Sequence, residues 1–200
     1  MAKLDIYLAG VGGQGSLTAS KILGEAATRS DQNVLVGEIH GMAQRGGIVE
    51  STVRIGEVHG AIIADRGADV LLGFEPVETV RALPKVGPDT LVITNTRPII
   101  PSTVSLKGDT YPDVEVLLAR IRSATSRVVA LDAATLAQQA GSAQAVNTIL
   151  LGVLAGCIEL PFSNETLLAV IEESVPQRAL EVNRKAFRLG MEQGILYTAK

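Results

Sequence analysis

A glycine-rich segment near the amino terminus has the residue types of an anion-binding loop. Residues 10–15, GVGGQG, satisfy the pattern G-x-G-x-x-G between a predicted strand and a predicted helix. Glycine lets the backbone turn sharply and lets a ligand approach it, while free amide groups at a helix start attract negative charge. The segment therefore predicts a site for a phosphate or a carboxylate.

A second glycine-flanked segment follows the next predicted strand. Residues 38–47, EIHGMAQRGG, hold one His, one Gln and one Arg. Binding groups lie in loops more often than in cores, and a guanidinium can hold a phosphate or carboxylate through two hydrogen bonds. Arg45 is therefore the best single candidate for contact with an anion. The alternative is an ion pair with Glu38 or Glu50 that stiffens the loop.

No residue of the chain is predicted to be catalytic. His40 has no Cys or Ser nucleophile nearby and no acid in a recognised motif, so we interpret it as a hydrogen-bonded loop histidine. Asp65-Arg66, Asn95 and Asp132 are weaker binding candidates. They lie near predicted strand ends, but each could equally cap a helix or close a turn.

Two other interpretations of the glycine loop remain open. Glu38 ends the second predicted strand, where a ribose-binding acid would stand in a stand-alone, Rossmann-type dinucleotide-binding module. Against that module, the next segment predicts a hairpin instead of a second crossover helix, and Gln14 places a long polar side chain where a pyrophosphate would lie. The glycines could also serve tight packing alone.

Composition restricts the class of protein. The 200 residues, 46% of them hydrophobic, suffice for a single domain over 1–200. A net charge of −3 with scattered Lys and Arg argues against nucleic acid as a partner. No apolar run approaches the roughly 18 residues of a membrane span, and no signal-peptide pattern is present, so we expect a cytoplasmic protein with no membrane contact.

Cys157 is the only cysteine of the sequence. It lies in the apolar run ILLGVLAGCIEL, which predicts a small hydrophobe on a buried helix. One cysteine supplies neither a disulfide nor a four-thiolate cluster, and His40 and His59 lack the spacing of zinc ligands. The chain is therefore predicted to hold no metal or iron–sulfur centre.

The first two thirds of the chain predict an α/β fold with a Rossmann-like start. Residues 47–56 and 57–64 alternate in period two around a Gly56-Glu57 turn, which predicts a hairpin and hence a mixed, mostly parallel sheet. Helices on both sides would give three layers, α/β/α. Other strands are predicted at 4–9, 33–38, 68–75, 89–96 and 127–133, and helices at 16–30, 76–83 and 115–124.

The C-terminal third is predicted to be helical. Segments 134–140, 145–160 and 165–190 predict helices, the last running through Pro176, with Ser163 or Asn164 as its cap. Asn147 and Asn183 fall inside these segments, where Asn is mildly disfavoured, so we expect each to bond a loop or a partner.

The two glycine-flanked segments together resemble the gamma subunit or gamma domain of 2-oxoacid:ferredoxin oxidoreductases. The resemblance rests on GVGGQG followed by EIHGMAQRGGIVESTVRIG at 38–56. It extends to GADVLLGFEPVETVRAL (67–83), NTILLG (147–152) and VNRKAFRLG (182–190), and so covers nearly the whole chain. A free-standing chain with the HGMAQRGG form is most similar to the beta subunit of indolepyruvate:ferredoxin oxidoreductase.

The resemblance implies a subunit of an enzyme of class EC 1.2.7.-, inactive in isolation. Such an enzyme converts a 2-oxoacid, here indolepyruvate or another aryl pyruvate, and coenzyme A to acyl-CoA and carbon dioxide, with electrons passing to ferredoxin. Thiamine diphosphate and iron–sulfur clusters are expected on a large partner subunit, and this chain is expected to bind neither. An isolated chain could form a homodimer in the partner's place.

Two roles then remain for this chain: holding the large subunit in place and helping to receive the phosphates or pantetheine arm of coenzyme A. We expect two facing loops at the carboxyl edge of the sheet that present amides and Arg45 to an anion or to the partner. The candidate residues are Gly12, Gly13, Gln14, Gly15, Gln44, Arg45, Gly46 and Gly47.

Overall fold

A computed structural model describes residues 3–40, 47–99 and 110–199 of the chain. The strands are β1 (Leu4–Val11), β2 (Val34–His40), β3 (Ile48–Ile55), β4 (Ala68–Gly73), β5 (Val86–Asn95) and β6 (Val128–Leu131). The helices are α1 (Ser16–Arg29), α2 (Pro76–Arg81), α3 (Val114–Ala124), α4 (Ala133–Ala140), α5 (Val146–Cys157), α6 (Asn164–Glu173) and α7 (Leu180–Thr198).

These strands form a single sheet in the order β2-β3-β1-β4-β5-β6. β3 is antiparallel to both of its neighbours, whereas β1, β4, β5 and β6 pair in parallel. The predicted mixed, mostly parallel sheet is therefore confirmed, and so are the helices on both of its faces. One apolar core lies between the sheet and α1, α4, α5, α6 and α7, and a second lies between the sheet and α2 and α3.

The predicted hairpin of 47–56 with 57–64 is wrong, because β3 pairs with β2 on one side and β1 on the other. Both edges of β3 are occupied, and 57–64 forms no strand. Carbonyls of this segment instead accept hydrogen bonds from side chains on β3: Thr52 Oγ1 donates to Ala61 O at 2.7 Å, and the Arg54 guanidinium donates to the carbonyls of Gly60 and Ile62. The segment therefore lies over the sheet face.

The long helix predicted through Pro176 is also wrong. α6 ends at Glu173, a short 3-10 turn follows Pro176, and α7 begins at Leu180. Proline has no amide hydrogen and disfavours helical backbone in the residue before it, so the chain changes direction there. The expected cap is confirmed, since Ser163 Oγ accepts a hydrogen bond from the Thr166 amide at 3.1 Å.

Helices α5 and α7 pack backbone against backbone through glycines. A Cβ placed on Gly152 would lie 2.3 Å from the Phe187 carbonyl oxygen, and one on Gly190 would lie 2.2 Å from the Ile149 oxygen. Gly156 and Gly194 repeat this contact one turn further along. This helix pair holds α5 against the sheet with its first turn at the carboxyl edge.

Candidate functional site

The glycine loop connects β1 to α1 at the carboxyl edge of the sheet. Gly13 and Gly15 have φ of 99° and 82°, a region that side chains with a Cβ rarely adopt. The Gln14 amide donates to the Val11 carbonyl at 3.2 Å and closes the turn. Gly15 also touches Asn147, since a Cβ on Gly15 would lie 3.2 Å from three of its side-chain atoms.

The side chain of Gln14 holds the loop together from within. Its Oε1 accepts a hydrogen bond from the Val11 amide at 2.6 Å, and its Nε2 donates to the Phe74 carbonyl at 2.9 Å. The side-chain amide therefore ties the loop to the end of β4. The expectation that Gln14 stands where a pyrophosphate would lie stays a prediction.

The two sequence-predicted loops meet at one point that the structure describes. Because β3 is antiparallel, it starts at the same edge where β1 ends, and the Gly12 amide donates to the Gly47 carbonyl at 3.0 Å. Gln44, Arg45 and Gly46 lie outside the described residues, as does the side chain of His40.

A cleft of about 630 Å³ opens beside the glycine loop. This volume falls within the range of small-molecule sites. α1 begins there at Ser16 and has no acidic residue in its first turn, so its amide end keeps its favourable potential for an anion. The cleft is lined by Val11, Gly12, Gly13, Gln14, Gly15, Thr18, Asn95, Arg97, Ile99, Ala134, Ala143, Gln144, Val146 and Asn147.

Arg97 brings a cation to the wall of this cleft. Its Nη2 donates to Asp132 Oδ2 at 2.8 Å and to Thr135 Oγ1 at 3.1 Å, while about half of its side chain, 53%, stays exposed. Partial burial raises the pKa of Asp132, but hydrogen bonds from Thr135 and the charge of Arg97 outweigh it and leave the pKa below its usual value. Arg97 is thus held in place, and Nη2 is the only guanidinium nitrogen that hydrogen-bonds to another described residue, which leaves Nε and Nη1 as donors for a ligand.

Asn95 has a structural role at the end of β5. Its Nδ2 donates to the Phe74 carbonyl at 3.2 Å, and its Oδ1 accepts from the amides of Arg97 and Ala133 at 3.2 and 3.1 Å. The buried amide therefore ties β4, β5 and α4 together beneath the cleft. Asp132 caps α4 by accepting a hydrogen bond from the Thr135 amide. Of the weaker binding candidates, Asn95 and Asp132 therefore lie at the cleft and support its structure.

Other predicted residues lie elsewhere. Asp65 and Arg66 precede β4 at the opposite edge of the sheet, where Asp65 pairs with Lys85 at 2.8 Å. Asn183 joins α5 to α7 by accepting from Thr148 Oγ1 at 2.6 Å. Cys157 is partly buried at the end of α5, as expected of a small hydrophobe, and burial raises the pKa of its thiol to about 11.

The sequence reasoning did not select Arg97 or Gln144, and it expected of Asn147 only a bond to a loop or a partner. Arg97 follows the predicted strand end Asn95 by two residues, and that position was the available signal. Gln144 and Asn147 could not be found without the fold, because only the packing of α5 on α7 brings them to the cleft. They also line an adjoining cleft of about 400 Å³ beside Pro176 and Arg178.

Within 3–40, 47–99 and 110–199, no group of three His, Cys, Asp or Glu side chains has the geometry to hold a metal ion. Among the same residues, no helix is long and apolar enough to cross a membrane.

Comparison with known proteins decides the family. Residues 5–193 match the family model described as pyruvate ferredoxin/flavodoxin oxidoreductase. The chain belongs to this family. The chain is 42% identical over 193 residues to the "Indolepyruvate oxidoreductase subunit IorB" of Archaeoglobus fulgidus, covering 96% of each chain. It is 28% identical to the "Pyruvate/ketoisovalerate oxidoreductases common subunit gamma" of Pyrococcus abyssi, covering 95% of this chain and 96% of that one.

Solved structures share the fold of this chain. The gamma subunit of a keto/oxoacid ferredoxin oxidoreductase from Geobacter sulfurreducens superposes with a TM-score of 0.71 at 22% identity, covering 96% of this chain and 99% of that one. A 2-oxoglutarate:ferredoxin oxidoreductase chain from Magnetococcus marinus superposes with a TM-score of 0.74 at 21% identity, covering 98% of this chain but 32% of that one. The resemblance inferred from the two loops is confirmed.

Proposed function

We propose that this chain is the small, gamma-type subunit of a 2-oxoacid:ferredoxin oxidoreductase. The observation that carries the proposal is full-length similarity to small subunits of such oxidoreductases, together with an anion-compatible cleft at the carboxyl edge of the sheet. The reaction would release carbon dioxide from a 2-oxoacid, join the acyl group to the sulfur of coenzyme A, and pass two electrons to ferredoxin.

Thiamine diphosphate and iron–sulfur clusters are assigned in this proposal to a large partner subunit, which also meets ferredoxin. The residues of this chain do not fit a cluster, because one cysteine cannot supply the thiolates that iron–sulfur clusters require. The chain then contributes binding and positioning, and the redox chemistry belongs to groups that it does not hold.

Indolepyruvate or another aryl pyruvate is the proposed 2-oxoacid. Identity to subunits named for indolepyruvate oxidoreductase is 42–43%, whereas identity to subunits named for pyruvate enzymes is 25–28%. The higher identity to the indolepyruvate oxidoreductase subunits supports this substrate assignment.

Coenzyme A is the proposed occupant of the cleft, through its phosphates or its pantetheine arm. Its phosphates are anions, and the cleft offers the amide end of α1, the glycine backbone and the exposed donors of Arg97. Val11, Ile99 and Val146 supply apolar lining that suits the arm. We extend the proposal to Gln44, Arg45, Gly46 and Gly47, since Gly47 contacts the glycine loop directly.

Co-expression with the large subunit tests the proposed function. The purified pair should reduce a viologen dye under anaerobic conditions only when both a 2-oxoacid and coenzyme A are present. Aryl pyruvates should give the highest kcat/KM, with pyruvate and 2-oxoglutarate below them. Failure of a cluster-loaded large subunit to bind this chain would contradict the proposal.

Substitution of Arg45 distinguishes a role in positioning coenzyme A from a role in assembly of the complex. If Arg45 meets the coenzyme, Arg45→Ala should raise the KM for coenzyme A in a complex that still assembles. If the loop serves only the interface, the variant should dissociate before that KM changes. Arg45→Lys keeps the charge without the planar fork and should recover activity only partly in the first case.

A stand-alone dinucleotide-binding module is the alternative, and the geometry disfavours it. β3 lies between β1 and β2, so Glu38 is two strand spacings, roughly 10 Å, from the strand that carries the glycine loop. A ribose-binding acid stands on the neighbouring strand in dinucleotide-binding folds. Calorimetry with nicotinamide and flavin dinucleotides should therefore detect no binding to the isolated chain.

A further inference from the structure

The α2 face of the sheet leaves apolar side chains exposed where β2 and β3 meet at the carboxyl edge. Ile39 is 59% exposed and Ile48 is 41% exposed. Ile39 pairs with Glu50 in the ladder, and Ile48 precedes Glu50 by two residues, so all three point to one face. The segment 57–64 covers the other end of this face but does not bury these two isoleucines.

Carboxylates border the two isoleucines. Glu50 pairs with Ala9 of β1 on the face that α2 covers, and Glu75 and Glu78 belong to the cap and first turn of α2. Both oxygens of Glu75 accept hydrogen bonds within the chain, Oε1 from the Tyr111 hydroxyl and Oε2 from the Glu78 amide. Glu75 therefore serves as a structural cap of α2.

Glu78 differs from Glu75, because one of its buried oxygens has no hydrogen-bond donor. Its side chain is 7% exposed; Oε1 accepts from Arg81 at 2.7 Å, and Oε2 finds no partner among the described residues. Burial raises the pKa of Glu78, Arg81 opposes the shift, and the carboxylates of Glu75 and Glu50 add to it. A buried acceptor without a donor is costly, so a donor that reached Oε2 would stabilise the site. Because Oε2 is itself shielded from solvent, the Glu78 side chain has to turn outward to meet a donor from a partner.

We propose that the patch formed by Ile39, Ile48, Glu50 and Glu78 receives an apolar segment of the large subunit that carries an arginine or lysine. The isoleucines would pack against the apolar residues of that segment, and its cation would donate to Glu78 Oε2 and Glu50. The inference rests on the proposed function, since it requires a large partner.

Charge argues against a second copy of this chain as the occupant. In a two-fold dimer centred on this patch, the same surface comes from both sides, so Glu50 and Glu78 of the two copies would gather around the axis. Like charges brought together at an interface oppose association. A different chain with a cationic segment would instead pair its positive charge with Glu50 and Glu78.

The test compares assembly with stability in two variants of the full chain. Glu78→Gln removes the charge and keeps the shape, so it should leave the melting temperature of the free chain unchanged or raised while weakening binding to the large subunit by about 10-fold. Ile39→Ser should weaken binding by a similar factor, about 10-fold. Ile195→Ser, at a 52% exposed isoleucine on the opposite side of the sheet, is the matched control and should bind normally.

Binding is measured by biolayer interferometry with the purified large subunit at low and high salt. Normal binding by both patch variants, in a system where the wild-type pair assembles and reduces dye, would overturn this inference and leave the proposed function standing. No binding by the wild-type chain would overturn both. A wild-type homodimer that Ile39→Ser dissociates would identify a second copy as the occupant and refute the large subunit.

Discussion

Two glycine-rich regions of this chain use the same residue for different physical reasons. In the loop at 10–15, Gly13 has a φ of 99° and a Cβ placed there would meet nothing within 4 Å. In the α5–α7 pair, Gly152 and Gly190 have ordinary helical backbone, but a Cβ on either would overlap a carbonyl oxygen of the facing helix. The loop requires glycine for its backbone conformation, whereas the helix pair requires glycine because there is no room for a side chain.

This difference shows how a glycine motif can be assigned. A glycine with free space around its missing Cβ leaves room for something else to approach the backbone, whereas a glycine whose missing Cβ faces another backbone is already in use. Gly13, with free space around it, lines the cleft. Gly152 and Gly190, which face another backbone, belong to the helix pair that holds α5 beside the cleft. Three substitutions and one labelling experiment test this division, from the largest expected effect to the smallest.

Gly190→Ala should lower the free energy of unfolding by about 3 kcal/mol, because α5 and α7 must separate to admit the methyl group. Alanine otherwise stabilises helices by roughly 1 kcal/mol over glycine, so the sign of the change is diagnostic. Urea unfolding followed by circular dichroism measures it. Gly60→Ala, where a Cβ meets nothing within 4 Å, is the control and should change stability little. A stabilised Gly190→Ala protein would refute the backbone contact.

Cys157 reports on the same helix pair. Its pKa of about 11 leaves roughly 100-fold less thiolate at neutral pH than an ordinary thiol has. A chromogenic disulfide reagent should therefore modify the native chain at least that much more slowly than the urea-unfolded chain, and the native rate should keep rising with pH well above neutrality. Because the sequence has one cysteine, the signal has one source. Equal native and unfolded rates would contradict the assigned burial.

Gly13→Ala should cost about 1–2 kcal/mol of stability through backbone strain alone. The effect is smaller than at Gly190, because no neighbouring atom has to move. Thermal unfolding of both variants side by side gives the comparison. If Gly13→Ala were the more destabilised of the two, crowding in the loop would outweigh its backbone conformation and the division would fail.

Arg97→Ala should raise the KM for coenzyme A about 10-fold in the assembled enzyme, with little change in kcat, through loss of a charge-assisted contact. Arg122 is the matched control, because its side chain is 55% exposed against 53% for Arg97 and each arginine pairs with a carboxylate. Steady-state dye reduction with varied coenzyme A measures the effect. An equal KM for coenzyme A in the Arg97 and Arg122 variants would show that Arg97 does not contact coenzyme A.

The sequence predicted the elements of the sheet well where hydrophobic patterns were long. Strands β1, β4 and β5 contain the apolar runs 6–9, 70–72 and 91–93, which are buried, so local pattern and tertiary burial agree. It failed at 57–64, where alternation suggested a strand. The pairing partners of β3 are set by long-range contacts with β1 and β2, and those contacts cannot be read from alternation.

The candidate site was predicted in part for a similar reason. The glycine loop and the contact at Gly47 follow from local sequence and from one inferred strand direction. The hydrogen-bond partners of Gln14 could not be predicted, because its bond to Phe74 joins residues 60 positions apart in sequence. Arg97 had a sequence signal in its position just after β5, whereas nothing in the sequence near Gln144 indicated the cleft.

The reversed direction of β3 also has a consequence for protein engineering. Both ends of the connection from His40 to Gly47 are anchored, one by the pairing of His40 with Val49 and the other by the Gly12 amide on the Gly47 carbonyl. The register of β2 and β3 is thus held by contacts outside residues 41–46. Grafting this connection between family members is therefore a direct way to ask which specificity travels with it.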